Sequence, residues 1–172
     1  MEYTKKIRKA TLFDVNKIWK IVEQGIYKRK TEGSLQWQDG YPNLDIIKND
    51  IESEQGYVVE SDNGVILGYI VLCQSGEPAY DELKTGWLTY NTPFLVLHRL
   101  VVCQNPKIKG LAFWIMKQAE LKAKEFGFSS IKVDTNFDNS PMLYIFNKLN
   151  YTYAGEVYFR GNARMAFEKQ IL

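Results

Sequence analysis

Apolar residues recur at helical spacing twice in the first third of the chain. The first helix is expected to begin after Thr11, with Asp14 placed as a capping acid, and to end at about Tyr27. A second, shorter helix is expected from about Leu44 to Ser53, and the stretch KKIRKA before both predicts a short strand. The buried faces of the two helices are predicted to consist of Val15, Ile18, Trp19 and Val22 in the first and Leu44, Ile47 and Ile51 in the second.

The middle of the chain changes to the pattern of strands. Tyr57–Glu60 and Val65–Leu72 are predicted to form a hairpin around the turn Asp62-Asn63-Gly64. The stretch Phe94–Val102 is almost continuously apolar, which indicates a central strand that is covered on both faces. The polar connection Ser75–Thr92 is expected to be irregular and to border a site.

The last third alternates between strands and helices. A helix is predicted from about Gly110 to Phe126, with Gly127 ending it in a left-handed conformation. SIKVDT predicts a strand, and NSPMLYIFNKL predicts a helix with Ser140 as N-cap and Pro141 in the first position. YTYAGEVY and ARMAFEKQI predict two closing strands. The order β-α-α-β-β-β-α-β-α-β-β indicates an α/β protein, with residues 1–172 as a single domain around a mixed central sheet flanked by helices.

Composition and charge narrow the class of protein. The 172 residues include 45% hydrophobic and 14% aromatic residues, which is typical of a globular domain with a sizeable core. A net charge of +2 is too small to predict nucleic acid or a membrane surface as the main partner. No apolar run approaches the roughly 18–20 residues of a membrane span, and MEYTKKIRKATLFD lacks the apolar core of a signal peptide. A cytoplasmic enzyme or binding domain is expected.

Several kinds of catalytic site are excluded by residue type. His98 is the only histidine, and Cys73 and Cys103 lie far apart in apolar, strand-like stretches, so we predict no metal site and two reduced core thiols. Neither a nucleophile elbow, G-x-S-x-G, nor a phosphate-binding motif of the P-loop or dinucleotide type is present.

One short segment combines features that suit an anion. Directly after the apolar strand, Lys107 and Lys109 precede Gly110 at the start of a helix. The first N–H groups of a helix have no partner within it, and the helix dipole makes them favourable for a phosphate. A glycine lets the backbone approach such a group closely. The alternative is an ordinary junction of strand and helix with solvated lysines.

This segment resembles the signature of the GNAT superfamily of acetyl-CoA-dependent N-acetyltransferases, Arg/Gln-x-x-Gly-x-Gly/Ala. The matching stretch is Lys107-Ile108-Lys109-Gly110-Leu111-Ala112, in which the glycine and the final small residue agree. Lys107 departs from the family preference for Arg or Gln. The resemblance covers nearly the whole chain, because the order of elements is also similar to that of the family.

A second family feature is an Asn, then a Tyr seven residues later, then Gly-Phe at the next strand. Asn139 matches the Asn, whereas Phe146 stands at the Tyr position and Asn150-Tyr151 stand in place of Gly-Phe. HRLVV and the terminal FEK are also similar to the family.

The resemblance implies acetyl-CoA as co-substrate, no metal, and direct attack of an amine on the thioester without an acyl-enzyme. A backbone N–H near Val101 or Val102 would polarise the thioester carbonyl. For the side chains of these residues, core packing is the alternative, and for Asn139 it is helix capping. The implied cofactor-binding residues are Leu100, Val101, Val102, Lys107, Ile108, Lys109, Gly110, Leu111, Ala112, Asn139 and Phe146.

Two catalytic residues are predicted, His98 as general base and Val102 through its backbone. His98 lies four positions before Val102, on the same strand face by period two, and an imidazole can accept the proton of the amine. A satisfied, partly buried histidine is the alternative, and Glu60 and Asp134 are the other candidate bases. The family Tyr commonly protonates the departing thiolate. Phe146 cannot, but a thiol with a pKa of ~8.5 leaves tolerably unprotonated.

The amine acceptor is expected to be bound by the aromatic loops. Asp81 or Glu82 would meet a cationic amine, and an aromatic cover over the core is the alternative role of the rings. The acceptor could be a small-molecule amine or a peptide amine, and the pattern permits a homodimer through the terminal strands. The predicted acceptor residues are Trp37, Tyr41, Tyr80, Trp87 and Tyr90.

Two further hypotheses remain open. The chain could be a catalytically silent acyl-CoA-binding sensor or interaction domain of the same fold, with Phe146 as the mark of lost catalysis. It could also use a longer acyl donor than acetyl-CoA.

Overall fold

The computed structural model describes residues 4–171 and confirms the α/β class and the mixed sheet. Within these residues, seven strands form one sheet in the order β1-β2-β3-β4-β5-β7-β6. The strands are β1 Lys5–Lys9, β2 Gly56–Ser61, β3 Ile66–Cys73, β4 Leu95–Val102, β5 Ser130–Thr135, β6 Thr152–Phe159 and β7 Asn162–Gln170. The helices are α1 Val15–Thr31, α2 Leu44–Glu52, α3 Pro78–Asp81, α4 Leu111–Glu125 and α5 Ser140–Lys148, with a 3-10 turn at Leu12–Asp14.

The sheet is antiparallel at both ends and contains the parallel pair β4–β5. β1, β2 and β3 pair antiparallel in succession, as the predicted hairpin requires. β7 lies between β5 and β6 and is antiparallel to both. β4 and β5 are parallel, and their register joins Leu95–Leu97 to Ile131–Val133. This register covers only the first part of β4, which continues to Val102.

Residue contacts divide the chain into two compact units, and the division falls inside β4, between Leu97 and His98. The first unit comprises the chain up to Leu72 together with His98–Gln118. Its core is formed by the apolar faces of α1 and α2 and by β2 and β3. The fully buried side chains of this core include Ile18, Val22, Ile47, Val58 and Ile70.

The second unit comprises Cys73–Leu97 and Ala119–Leu172. A buried carboxylate, Glu168 on β7, fixes its long connection between β3 and β4. Glu168 accepts hydrogen bonds from Leu88 N at 2.5 Å, from Thr89 N at 3.2 Å and from the Thr89 hydroxyl. Ser130 Oγ on β5 donates a further bond to it at 2.5 Å. The predicted irregular connection is therefore anchored to the sheet, and it contains the short helix α3.

Two predicted helix ends are wrong. The first helix continues to Thr31 instead of ending near Tyr27, because Lys28, Arg29 and Lys30 in its last turn suit the negative helix end. α5 is capped by Asn139 and not by Ser140, which is the first helical residue. The predicted domain 1–172 also includes residues 1–3 and 172, which lie outside the described residues, and its extent stays a prediction.

Candidate active site

The end of β4 is held in place by three hydrogen bonds within the first unit. Cys103 N donates to the Leu67 carbonyl of β3 at 2.8 Å. Gln104 N donates to Gln24 Oε1 of α1 at 2.8 Å, and Gln104 Nε2 donates to the Val102 carbonyl at 2.9 Å. The loop toward α4 therefore begins from a fixed point. Gln24 and Gln104 were missed by the sequence analysis, since no local pattern indicates a contact between residues so far apart in the chain.

Gly110 adopts a left-handed backbone at the start of α4. Its φ is 76°, and a Cβ added there would meet no atom within 4 Å. The glycine is thus required by its backbone conformation and not by packing inside the chain. Leu111 N donates to the Ile108 carbonyl at 3.4 Å, and Trp114 N donates to the Gly110 carbonyl at 2.9 Å.

Positive charge surrounds this open helix start. Lys107 and Lys109 are exposed on either side of Ile108, and Gly110 is exposed as well. By the general geometry of helices, the first N–H groups of α4 point outward without an intrahelical partner. The loop therefore offers basic side chains and backbone donors to an anion, with no Cβ at the glycine.

Two glycines allow close packing around β4. A Cβ on Gly25 of α1 would lie 2.7 Å from Val101 Cγ2 and 3.1 Å from the Trp37 ring. A Cβ on Gly68 of β3 would lie 2.8 Å from Ile115 Cδ1 of α4 and 3.2 Å from the Val101 carbonyl oxygen. Neither glycine has a left-handed φ, so both are explained by close approach of the neighbouring elements. The elements that carry these glycines therefore pack closely against both the side chain and the carbonyl group of Val101.

Arg99 is the unexpected residue of β4. Its φ is 52°, a left-handed conformation that a residue with a side chain rarely adopts inside a strand. The alternation of side chains along a strand does not carry across such a residue. The period-two argument that placed His98 on the same face as Val102 therefore no longer supports that placement.

Arg99 belongs to a cluster of four hydrogen-bonded side chains. Asp50 on α2 accepts from Arg99 Nε at 2.8 Å and from Nη2 at 2.5 Å. Arg99 Nη1 donates to the Tyr41 hydroxyl at 2.5 Å, and the Tyr69 hydroxyl donates to Asp50 Oδ2 at 3.0 Å. Asp50 was missed by the sequence analysis, which offers no signal for a pair separated by 49 positions.

The surroundings of Arg99 and Tyr69 raise the pKa of both side chains. Burial alone would lower the pKa of Arg99, but the neighbouring oxygens of Tyr41 and Asp50 outweigh it and raise that pKa. Burial raises the pKa of Tyr69, and the charge of Asp50 and its hydrogen bond add to the effect. Tyr69 therefore stays protonated and continues to donate to Asp50.

The three candidate bases differ in their surroundings. His98 is half-buried in β4. Glu60 pairs with Arg8 at 2.8 Å, and the hydrogen bond from Arg8 lowers the pKa of this carboxyl to about 2, which makes it a weak base. Asp134 Oδ1 accepts from the buried Tyr80 hydroxyl at 2.6 Å, and Arg164 lies 3.7 Å from Oδ2.

The second family element lies in the second unit. Asn139 Oδ1 accepts from Met142 N at 3.4 Å and caps α5, which favours the capping role. The Phe146 ring is 2% exposed, and its centroid lies 5.6 Å from that of Tyr151 and 5.0 Å from that of Phe167. Tyr144 is 61% exposed. The implied role of Phe146 in cofactor binding stays a prediction.

The five predicted acceptor residues fall into two groups. Trp37 lies against Gly25 in the first unit, and Tyr41 binds Arg99. Tyr80 and Trp87 are buried in the second unit, and Trp87 Nε1 donates to the Tyr80 carbonyl at 3.2 Å, which favours a packing role. Tyr90 is 53% exposed. Tyr41 therefore contacts β4 through Arg99, and Trp37 packs at Gly25, whose Cβ would meet Val101.

Cys73 and Cys103 are both free and buried, and burial raises the pKa of the Cys103 thiol, so it stays protonated. Within residues 4–171, no group of three His, Cys, Asp or Glu side chains could hold a metal ion. No helix in this described range is long and apolar enough to cross a membrane.

Comparison with known proteins identifies relatives of this fold. The family model described as Acetyltransferase (GNAT) family matches residues 23–151, which is more than half of the chain. No curated protein sequence matches the chain. Many solved structures do match it.

Three solved structures illustrate the range of similarity. A GNAT-family acetyltransferase from Streptococcus agalactiae is 29% identical with a TM-score of 0.87, and the match covers 99% of this chain and 98% of that one. A GNAT-family acetyltransferase from Listeria monocytogenes is 18% identical with a TM-score of 0.76, over 99% and 98% of the two chains. The yncA protein of Salmonella typhimurium, solved with its cofactor acetyl-CoA, is 16% identical with a TM-score of 0.65, over 98% and 94%.

Proposed function

The chain belongs to the acetyltransferase (GNAT) family, and we propose that it transfers an acetyl group from acetyl-CoA to a primary amine. One observation carries the proposal. β4 is followed by a basic loop that ends at Gly110. Gly110 has a left-handed backbone, and no atom lies within 4 Å of the position where its Cβ would be, so the start of α4 is accessible to a ligand. The amine acceptor is proposed because the sequence resembles N-acetyltransferases. The acetyl-CoA donor is supported by the Salmonella structure, which was solved with acetyl-CoA.

The loop and helix start fit the pyrophosphate of coenzyme A. The N–H group of Ala112 belongs to the first turn of α4, where the helix dipole favours negative charge by ~0.3–1 kcal/mol for each exposed charge, and Leu111 N donates to the Ile108 carbonyl over a long 3.4 Å. Lys107 and Lys109 add positive charge beside them. Hydrogen bonds from N–H groups to charged oxygens are stronger than neutral ones, so several together supply the larger share of affinity.

The backbone of β4 is proposed to bind the pantetheine arm and the thioester. Its parallel register with β5 ends at Leu97, and β4 continues through Leu100, Val101 and Val102. A backbone N–H at Val101 or Val102 would hold the oxygen that becomes negative when the carbonyl is attacked. The packing of Val101 against Gly25 and Gly68 supports this role, because it fixes the backbone before substrate binds.

The proposed reaction has one covalent exchange. The amine nitrogen bonds to the thioester carbonyl carbon, the carbon–sulfur bond breaks, and the amine loses a proton. His98 is proposed to accept that proton, directly or through water. The electron pair leaves with the sulfur as the CoA thiolate, which needs no side-chain acid because a thiol has a pKa of ~8.5. This agrees with Phe146, which has no hydroxyl.

Trp37 and Tyr41 are the strongest candidates for contact with the acceptor. Both lie in the segment between α1 and α2, and both are half-buried next to β4 residues. Tyr80 and Trp87 are weaker candidates because their polar groups already bind within the second unit. A small-molecule or peptide amine remains the proposed acceptor. A cytoplasmic location and a homodimer through the terminal strands stay predictions.

Calorimetric titration with CoA and with acetyl-CoA tests the first step. We expect micromolar binding of both and a higher melting temperature, since a ligand at a hundredfold excess over its dissociation constant stabilises the native state by ~2.7 kcal/mol. Absence of heat and of any melting shift would contradict the assignment.

A second candidate function is an acyl-CoA sensor without catalysis. One observation favours it: Phe146 is buried among aromatic rings at the position where the family pattern has a Tyr that protonates the thiolate. The two functions differ in thiol release. A sensor binds acetyl-CoA and releases no thiol with any amine, whereas the enzyme releases one thiol for each amine acetylated.

A further inference from the structure

Arg99 requires an explanation that the proposed reaction does not give. It is the residue of β4 with a left-handed backbone, at φ 52°, directly before the residues proposed to bind the thioester. Residues other than glycine, asparagine and aspartate disfavour the left-handed region of φ and ψ. A strand therefore does not take this form at an arginine unless surrounding contacts hold it there.

The side chain of Arg99 supplies such contacts. Its Nε and Nη2 form a two-pronged pair with the carboxylate of Asp50, and its Nη1 binds the Tyr41 hydroxyl. Tyr69 on β3 donates to the same carboxylate. The side chains of Arg99 and Asp50 are only 12% and 6% exposed. Two parallel hydrogen bonds fix the guanidinium plane, and a fixed guanidinium limits the backbone conformations at Arg99.

We propose that Asp50 and Arg99 are positioning residues, whose buried ion pair holds β4 left-handed at Arg99 and thereby aims the N–H groups of residues 100–102 at the thioester. The inference rests on the proposed function for its ligand. The geometric part of the inference does not depend on that function, because a left-handed residue rotates the peptide planes that follow it out of the regular hydrogen-bonding ladder of the sheet.

A direct contact between Arg99 and an acidic acceptor is the weaker alternative. All three guanidinium nitrogens already bind Asp50 or Tyr41, and Asp50 neutralises the positive charge. A role in stability alone is also weaker. A buried ion pair is often replaced by apolar side chains without loss of stability, so its presence at a strained strand position points to conformation.

The cluster also links the regions proposed to bind the two substrates. Tyr41 belongs to the segment proposed to contact the acceptor, and it shares Arg99 with Asp50 of α2. Rotation of the backbone at Arg99 would move the guanidinium and break the bond to Tyr41. The same ion pair therefore positions an acceptor-side aromatic residue and the thioester-side strand.

The test compares two double variants in which the buried charge is first removed. Asp50→Asn/Arg99→Gly and Asp50→Asn/Arg99→Ala both lack the guanidinium. Glycine adopts the left-handed conformation readily, whereas alanine is disfavoured there by ~1–2 kcal/mol. We therefore expect the alanine variant to bind acetyl-CoA about 5- to 30-fold more weakly than the glycine variant. Equal affinities would overturn the proposal, since a role of the side chain itself predicts the same loss in both.

Hydrogen exchange of the β4 amides without CoA keeps the test independent of the proposed function. The glycine variant should retain the exchange pattern of the parent from residue 100 to residue 102, and the alanine variant should not. If the parent itself failed to bind CoA, the proposed function would fall while this comparison would still decide the backbone role. The same change in both variants would again overturn the proposal.

Two controls separate positioning from general loss of stability. Asp14→Asn removes a comparable buried carboxylate, which pairs with Arg8 at 2.8 Å in the same unit. It should lower the melting temperature and leave CoA affinity unchanged, and an equal loss of affinity would contradict the proposal. Asp50→Asn/Arg99→Asn should bind between the glycine and alanine variants, because asparagine tolerates the left-handed region. If the alanine variant fails to fold, the glycine and asparagine variants are compared with each other, and equal CoA affinities of these two would overturn the proposal.

Discussion

At the scale of single residues, backbone conformation matters as much as side-chain chemistry. Gly110 and Arg99 both have positive φ, and they precede the two backbone segments proposed to bind coenzyme A. At Gly110 the absence of a side chain permits the conformation. At Arg99 a buried ion pair stabilises it. Substitutions at both positions should therefore act through the backbone as well as through charge.

Gly110→Asp should abolish CoA binding while the protein still folds. The new carboxylate would enter a region proposed for phosphate, and like charges repel. Gly64→Asp is the matched control, because Gly64 has a φ of 74° and equally open surroundings in the β2–β3 turn. Calorimetry should show parental CoA affinity for Gly64→Asp. Equal affinity of the Gly110→Asp variant and the parent would show that Gly110 is not at the pyrophosphate.

His98→Ala tests the general base. If His98 accepts the proton of the amine, turnover should fall ~10²–10⁴-fold. The affinity for CoA should remain nearly unchanged, because the variant keeps the backbone of β4 and the loop. Steady-state kinetics together with calorimetry separate the two effects. An unaltered rate would move the role to water or to another group.

Tyr151→Phe should stabilise the protein. The Tyr151 hydroxyl is buried without a hydrogen-bond partner among the described residues, and burying such a group costs ~1–3 kcal/mol. Removing it should raise the melting temperature by about 2–4 °C for each kcal/mol recovered. Turnover should be unchanged. A large loss of turnover would instead identify Tyr151 as the missing acid beside Phe146.

Single residues could be predicted from sequence where their role is local. The glycine at position 110 and the basic residues before it were found because spacing reveals a helix start. Asp50, Gln24 and Gln104 were not found, because their partners lie 49 or 80 positions away. The period-two argument for His98 fails at Arg99, since no sequence pattern indicates a left-handed arginine inside a strand.

At the scale of elements, hydrophobic periodicity was sufficient for most helices and strands. The β2–β3 hairpin, β4, α4 and β5 lie close to their predicted positions, and Gly127 has the predicted left-handed φ of 80°. The connection before β4 was harder to predict, because Glu168 organises it from another strand. That long-range anchor turns two expected acceptor residues, Tyr80 and Trp87, toward the core of the second unit.

Acid should weaken the junction of β1, the 3-10 turn and β2. Arg8 binds Asp14 and Glu60, and its hydrogen bonds lower the pKa of each carboxyl to about 2, from 3.8 and 4.5 respectively. Because both values are lower in the folded state, the stabilisation is present above about pH 5 and is lost as the pH falls toward about 2.

Asp14→Asn should remove part of this dependence on pH. The difference in unfolding free energy between the parent and the variant should be large near about pH 6 and should shrink toward about pH 2.5. Urea unfolding at several pH values measures it. A difference that stays constant over this range would show that the Arg8 pair does not titrate as described.

At the scale of the whole molecule, the seven-stranded mixed sheet matches relatives that differ in most of their residues. The Streptococcus agalactiae structure shares 29% of its residues over nearly the full length of both chains. Fold similarity of this kind does not determine the acceptor. The predictions therefore rest on individual residues of this chain, including Gly110, His98 and the Arg99 cluster.

The most direct measurement is a time course of thiol release from acetyl-CoA with a panel of small-molecule and peptide amines, followed by mass spectrometry of each amine. We predict that at least one amine gains a single acetyl group in step with the thiol released, and that Gly110→Asp abolishes both signals while Gly64→Asp leaves them unchanged. Tight binding of acetyl-CoA without thiol release or acetylated product from any amine would contradict the account and identify the protein as an acyl-CoA sensor.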